Sequence, residues 1–367
     1  MSLLRHFRGS FAFTAVCLAL AAWLGWANSG TAAGVAGVLW VVVVLAVLEV
    51  SLSFDNAIVN AAILKTMAPV WRQRFLTWGI LFAVFGMRIV FPLAIVAVAA
   101  GVGPVEAVRL AATDHATYER VIAGAHVAIS GFGGAFLAMV GLTFFLDQEK
   151  DLHWIGAIER PFKGLSGVSG LAIGLVLLML YGVAQLLHPG EELTFLTAGI
   201  FGLIAYVAVD AVAGFTGGAA AAKDTAAVAA QGGLGAFLYL QLIDASFSFD
   251  GVIGAFALSN DLFVIALGLG IGAMFVRAMT VMLVERGTLT EYRYLEHGAF
   301  YAILALAAIM LVSARYDVPE TATGLIGAGL IGLSFVASVR SNRREAHGVN
   351  AAGERLGSLK RRGKAAS

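Results

Sequence analysis

Charge is what this sequence has least of. Asp, Glu, Lys and Arg make up 13% of its 367 residues, whereas an ordinary soluble domain carries about 25%. Hydrophobic residues reach 60% and the mean hydropathy is +0.88. A bilayer is the solvent that accepts so much apolar surface, so for the bulk of the chain soluble domains, disordered segments and disulfide frameworks are excluded. Cysteine is nearly absent as well: Cys17 alone, in an apolar run, excludes an internal disulfide. No pair of histidines has zinc spacing. The Gly-rich stretches 131–134 and 268–272 lack a preceding strand and a following Lys-Ser/Thr, so they read as close helix packing rather than phosphate loops. No ATP-binding motif is present.

What is there is a series of apolar runs. A spanning helix needs about 20 mostly apolar residues, and ten runs qualify, near 11–28, 34–64, 75–100, 121–146, 168–187, 193–215, 233–258, 262–284, 295–314 and 321–339. The expected fold is an all-α polytopic membrane protein. The first run, preceded by Arg5 and Arg8, has a signal peptide as its alternative, and an uncleaved helix is the preferred reading. With ten spans, 19 of the 24 Lys and Arg fall on the side of the N-terminus and three, Arg109, Arg120 and Arg315, on the other. Cytoplasmic loops carry the basic excess, which predicts that both termini face the cytoplasm.

Residues 1–340 therefore read as one transmembrane domain and 341–367 as a basic, disordered cytoplasmic tail. The tail suits anionic lipid headgroups better than nucleic acid. The segment 147–163, with Trp154 and Ile155 among charges, reads as an interfacial helix.

An internal repeat stands out. Glu49-Val50-Ser51-Leu52-Ser53-Phe54-Asp55-Asn56 in the second run returns as Asp244-Ala245-Ser246-Phe247-Ser248-Phe249-Asp250-Gly251 in the seventh. Gly86-Met87-Arg88 is then matched by Phe275-Val276-Arg277, and Gly134-Ala135-Phe136 by Gly298-Ala299-Phe300, in the same order. Five spans, an odd number, separate each element from its counterpart. Repeat A (about 34–146) and repeat B (about 233–314) are thus expected to cross the membrane in opposite directions, with a substrate site near the midplane.

Apart from Glu296 at the very start of the ninth run, five acids lie inside the runs, Glu49, Asp55, Asp210, Asp244 and Asp250, against two bases, Arg88 and Arg277. Such groups cost at least about 2.5 kcal/mol each at the bilayer centre and by default face inward. Two arginines can pin two of the acids, and the three remaining negative charges call for protons or a bound cation. Residues six apart are about 120° off a common helix face. Glu49 with Asp55, and Asp244 with Asp250, therefore predict two broken helices, bent by Ser51, Ser53, Ser246 and Ser248. Carboxylates, carboxamide, hydroxyls and freed carbonyls are hard oxygen ligands suited to Mg²⁺, Ca²⁺ or Mn²⁺. Asp210 reads either as a proton relay or as a satisfied polar group, and His126 and His297 read as structural groups or proton carriers.

The acidic motif at Glu49 to Asn56, its partner at Asp244 to Asp250, and Gly272-Ala273-Met274-Phe275-Val276-Arg277 leading to Tyr294-Leu295-Glu296-His297-Gly298 resemble the TerC integral membrane proteins, and more closely a TerC-related bacterial branch without assigned function. The resemblance covers about residues 41–311. TerC proteins are named for tellurium resistance, and several bacterial members are implicated in manganese export. The resemblance implies divalent metal efflux, with Mn²⁺ as substrate and Glu49, Asp55, Asn56, Asp244 and Asp250 as ligands. Gly251 stands where Asn56 would be echoed and where TerC proteins usually carry Ser, so one ligand position is vacant. Arg88 and Arg277 would balance or gate the site, and proton antiport through the bacterial inner membrane is the natural coupling. No organic cofactor is expected.

Enzymatic activity is not expected either. An intramembrane aspartyl protease would need a Gly-x-Gly-Asp context that the motifs lack. The competing expectation is a non-transporting membrane component of a metal or tellurite resistance complex.

Overall fold

In the computed structural model residues 4–147, 152–165, 168, 170–216, 234–255, 258–259, 261–316 and 318–364 are described, with side chains given to Arg344 and omitted at scattered helical positions before it. All regular structure among them is helical. The chain enters through a hairpin of α1 (Leu4–Ser29) and α2 (Ala32–Leu52). Thr31 caps α2 by accepting from Gly34 N–H, and a Cβ on Gly25 would stand 2.8 Å from the Val35 Cα, so only glycine lets the two helices close this tightly.

α3 (Phe54–Thr66) follows after one residue, and then α4 (Pro69–Leu81), a π-helical stretch (Phe82–Val90) and α5 (Phe91–Ala99). Two short helices, α6 (Pro104–Thr113) and α7 (His115–Gly124), lead to α8 (His126–Phe145). Beyond it lie α9 (Gly156–Leu165), α10 (Leu171–Ala184), α11 (Glu192–Thr216), α12 (Leu234–Ala255), α13 (Leu262–Glu285), α14 (Thr288–Glu291), α15 (Leu295–Ser313) and α16 (Glu320–Lys364).

Seven of the described helices are long and apolar enough to cross a bilayer: His6–Ser29, Ala32–Leu52, His126–Phe145, Glu192–Val212, Leu262–Glu285, Leu295–Ser313 and Ala322–Arg344. An eighth span is reached if Pro69–Gly79 and Val84–Val98, bent by 46° to each other, count as one. The described residues alone do not reach the expected ten. In the fifth run α10 has 14 residues, about 21 Å at 1.5 Å per residue against a hydrocarbon core of about 30 Å. The seventh run has only Leu234–Phe247 as a described apolar stretch. The bend has a local cause. Pro92 at the start of α5 has no N–H for the Arg88 carbonyl and so breaks the ladder at the point where the π turn ends.

The largest buried cluster joins α3, α8, α11, α12 and α15, with Phe136, Leu137, Leu240, Ile303 and Met310 at its centre. Glycines set its spacing: at Gly131 a Cβ would meet the Phe195 carbonyl oxygen at 2.7 Å. A second cluster lies under α5, α6 and α7, and a third joins α1, α2 and α13. Elements matched by the sequence repeat are neighbours, since α8 packs along α15 and the π stretch along α13. Where these clusters meet, between α2, α3, the π stretch, α12 and α13, the apolar interior gives way to buried polar side chains.

Candidate functional site

The first acidic motif breaks its helix as expected. Ser53 separates α2 from α3 with φ −97° and ψ 17°, and its hydroxyl donates to Glu49 Oε1 at 3.0 Å. Ser51, two residues earlier, turns back to the Val47 carbonyl at 2.8 Å. Asp55 then falls in the first turn of α3, where a carboxylate faces the positive helix end, and its Oδ1 accepts from Asn56 N–H at 2.9 Å.

The second motif does not break. α12 runs through it without interruption, and Ser246 bonds back to the Leu242 carbonyl at 2.9 Å inside a helix that stays closed. A Ser-rich hexapeptide is thus compatible with either outcome, and its surroundings decide. Asp250 lies on this helix, and its side chain, with that of Ser248, falls outside the described residues.

Glu49 and Arg88 form a buried ion pair, Arg88 Nη2 to Glu49 Oε1, with side chains 6% and 5% exposed. Arg88 also donates from Nε to the Leu269 carbonyl at 3.2 Å, so the guanidinium bridges the π stretch, α2 and α13. Gly272 lets Glu49 sit there, for a Cβ at that position would stand 2.5 Å from Glu49 Cγ. Arg277, the counterpart of Arg88, behaves differently. It lies 4.5 Å above the Phe75 ring, and its Nε and Nη2 have no hydrogen-bond partner. Asp244 is held instead by Asn60, whose Nδ2 donates to Oδ1 at 2.7 Å, with a weaker side-chain contribution from Asn56.

Two cavities meet at Glu49 and Ser53. One, of about 340 Å³, is lined by Asp55, His126, Ser313, Thr323 and both of those residues. The other, of about 30 Å³, is a chamber lined by Asn56, Asn60, Arg88, Asp244 and Arg277 on the far side of the same two residues. Glu49, ion-paired to Arg88, and Ser53 are thus the residues that line both. Of the predicted ligands the structure brings Glu49, Asn56 and Asp244 to the chamber and leaves Asp55 in the larger cavity, where its Oδ2 would stand 2.8 Å from a Cβ on Gly327. Among the described residues no three His, Cys, Asp or Glu side chains group closely enough to hold a metal ion on their own. The other oxygens that line the chamber are the carboxamides of Asn56 and Asn60 and the hydroxyls of Ser53 and Thr280.

Asp210 is elsewhere. It is half-buried on α11, lines neither cavity, leaves Oδ1 without a partner and acts electrostatically on Tyr239 of α12. Sequence reasoning passed over Asn60 and Gln241. Their spacing was the signal: Asn60 is one turn beyond Asn56, and Gln241 is three residues before Asp244. It also assigned no role to Glu159 in the expected interfacial segment. That residue is 2% exposed and accepts from Trp154 and Ile155 N–H and from the Tyr301 hydroxyl, pinning α9 to α15 beside His153 and His297.

A model for proteins of unknown function, DUF475, matches residues 54–345, which is most of the chain. The chain belongs to the DUF475 family. That match spans Asp55, Asn60, Arg88, Asp244 and Arg277, begins five residues after Glu49, and carries no assignment to TerC. No curated protein and no solved structure matches the chain.

Proposed function

We propose that this DUF475 protein is a membrane transporter that exports a divalent cation, with Mn²⁺ as the expected substrate, through the chamber between α3, α12 and the π stretch. The observation that carries this reading is the buried Glu49–Arg88 ion pair, on a helix broken at Ser53, where a wide cavity and a small polar chamber meet. Intramembrane carboxylates at a break between cavities are how transporters expose a site to one side at a time.

The wide cavity is lined by His126, Ser313 and Thr323, which stand next to the loops with few basic residues. With Lys and Arg on the cytoplasmic side, that cavity opens outward and the chamber lies toward the cytoplasm. The finer elements belong to the same reading: ten spans, with the 14-residue α10 as a short one, an inverted repeat that pairs α2 and α3 with α12, termini in the cytoplasm of a bacterium, and a basic segment after Arg340 held to anionic headgroups. The TerC resemblance supports export as the direction. Protons replace the metal at the carboxylates on release, and Arg277, whose Nε and Nη2 make no hydrogen bond among the described residues, balances the emptied chamber.

Cellular Mn²⁺ content and Mn²⁺ tolerance test this. Cells expressing Asp244→Asn, Asp55→Asn or Asp250→Asn are expected to hold more Mn²⁺ and to tolerate less of it than cells expressing the wild type. Unchanged content and tolerance in all three variants, with the proteins present in the membrane, would overturn export. That result would favour a second reading, a non-transporting component of a resistance complex. Its supporting observation is that Glu49 already has a full partner in Arg88.

A further inference from the structure

The chamber holds an arrangement that its charges alone do not explain. Glu49 and Asp244 face Arg88 and Arg277 across about 30 Å³, so each carboxylate has a guanidinium within the same small space. Among the described residues only Glu49 and Arg88 form a contact ion pair there, while Arg277 acts on Asp244 from a longer distance. Arg277 rests on Phe75 instead, and Asp244 is satisfied by a neutral group, the Asn60 amide at 2.7 Å. A carboxamide is a weaker partner for a carboxylate than a guanidinium in a buried site. It differs in one respect: it carries an acceptor beside its donor, and a guanidinium has none.

That acceptor is idle. Asn60 is 4% exposed and Asn56 9% exposed, both line the chamber, and the side-chain oxygen of each has no hydrogen-bond partner. They stand at i and i+4 on α3, hence one above the other on one face. Buried amide oxygens are seldom left unpaired, and when they are, an unseen water or ion is the usual reason. The chamber admits one such particle, since a water needs at least about 10–15 Å³ of this kind of space.

We propose that Asn56 and Asn60 are a carboxamide swivel that stands in for the cation at Asp244: their N–H groups hold the carboxylate while the chamber is without metal, and rotation about χ2 turns both oxygens onto an arriving divalent cation. The rotation is cheap because the torsion between an sp³ and an sp² carbon is broad. The ligand set is then the Asp244 carboxylate, two carboxamide oxygens and water, all hard donors. Arg277 need not move far, because Phe75 already holds it off the carboxylate. Asp55, in the other cavity, is a residue of the passage and not a ligand at this position. The inference rests on the transport reading and adds to it a residue, Asn60, and the place where the ion stops.

The test uses the full-length protein purified in detergent, Mn²⁺ alone as probe, and asparagine labelled with ¹³C at the side-chain carbonyl. Free Mn²⁺ measured by electron paramagnetic resonance gives the Kd, and electron-nuclear double resonance reports whether labelled carbonyl carbons touch bound Mn²⁺. Wild type is expected to bind Mn²⁺ and to show ¹³C coupling. Asn60→Leu is expected to lose part of the coupling and to weaken binding at least about tenfold, whereas Asp55→Asn keeps both. Bound Mn²⁺ without ¹³C coupling in the wild type overturns the swivel and leaves transport standing, as does an Asn60→Leu protein with unaltered Kd. The coupling is read on the wild type, so the inference stays open to refutation even if Asn60→Leu fails to fold. A wild type that binds no Mn²⁺, together with unchanged cellular metal in Asp244→Asn, overturns the transport reading and the swivel with it.

Discussion

The two acidic motifs begin from nearly the same eight residues and end in opposite states. In the first, the helix breaks at Ser53 and Glu49 is locked to Arg88. In the second, the helix runs on, Asp244 is held by an amide, and Arg277 lies on a phenylalanine ring. The difference originates outside the motifs. Arg88 is delivered to Glu49 by a π-helical stretch that ends at Pro92, whereas Arg277 sits within α13, an ordinary 24-residue helix without an internal proline. A π turn carries an extra residue and rotates the residues beyond it around the helix axis, which is why such turns recur at functional positions. One repeat thus supplies a fixed ion pair and the other an adaptable polar pocket.

The sharpest way to break this contrast is to remove one arginine at a time. Arg88→Gln leaves Glu49 buried without its counter-charge and is expected to cost about 3–5 kcal/mol, read as a lower unfolding midpoint in detergent. Glu49→Gln in the same chain is expected to restore most of the loss. Arg277→Gln is expected to cost less than half as much, because it forfeits a ring contact of about 1–2 kcal/mol and an electrostatic interaction with Asp244 that is not a contact ion pair among the described residues. Equal losses for the two arginines would show that the halves are energetically alike after all.

The glycines facing Glu49 give the next, smaller contrast. A Cβ at Gly272 would stand 2.9 Å from the Ala46 carbonyl oxygen as well as against the Glu49 side chain, so Gly272→Ala forces α13 away from α2. Overpacking of this kind costs about 1–3 kcal/mol. At Gly251 the only near atom is Glu49 Oε2 at 3.4 Å, an ordinary contact. Gly251→Ala is therefore expected to be neutral, or stabilising by up to about 1 kcal/mol through the higher helix propensity of alanine. Comparing the two variants by thermal unfolding measures how tightly each half holds Glu49.

Much of this was legible in the chain. Scarcity of charge identified the solvent, each apolar run carries helix, and the spacing of Glu49 and Asp55 called for a break that Ser53 supplies. Glu49, Asn56, Asp244 and both arginines were marked, and they do share one chamber. The features that could not be read depend on three dimensions. Run length in sequence does not give helix length: α10 has 14 residues in a run of 20. Pairing of arginines with acids depends on rotation about a helix axis, which Pro92 alters from four residues beyond Arg88. Asn60 carries no charge and sits outside the repeated octapeptide, so its one signal was its place one turn beyond Asn56. The division into two cavities, which takes Asp55 away from Asp244, depends on the side to which each turn of α3 faces, and the sequence spacing only bounds that.

The smallest effect isolates the serines, which both motifs carry at the same two positions. Ser53 donates to a charged oxygen at 3.0 Å and holds the break open, so Ser53→Ala removes a charge-assisted hydrogen bond and a reason for the chain to leave the helix there. Such bonds are worth about 1.5–3 kcal/mol in water-soluble proteins and nearer 0.6 in membranes, so a loss of about 1–2 kcal/mol is expected. Ser246 bonds only to the carbonyl one turn back, an interaction that slightly weakens a helix rather than supporting it. Ser246→Ala is expected to shift stability by no more than about 0.5 kcal/mol. If instead the two alanine variants lose the same amount, the serines act through a common helix-bending role, and the break at Ser53 must come from Arg88 drawing Glu49 out of register.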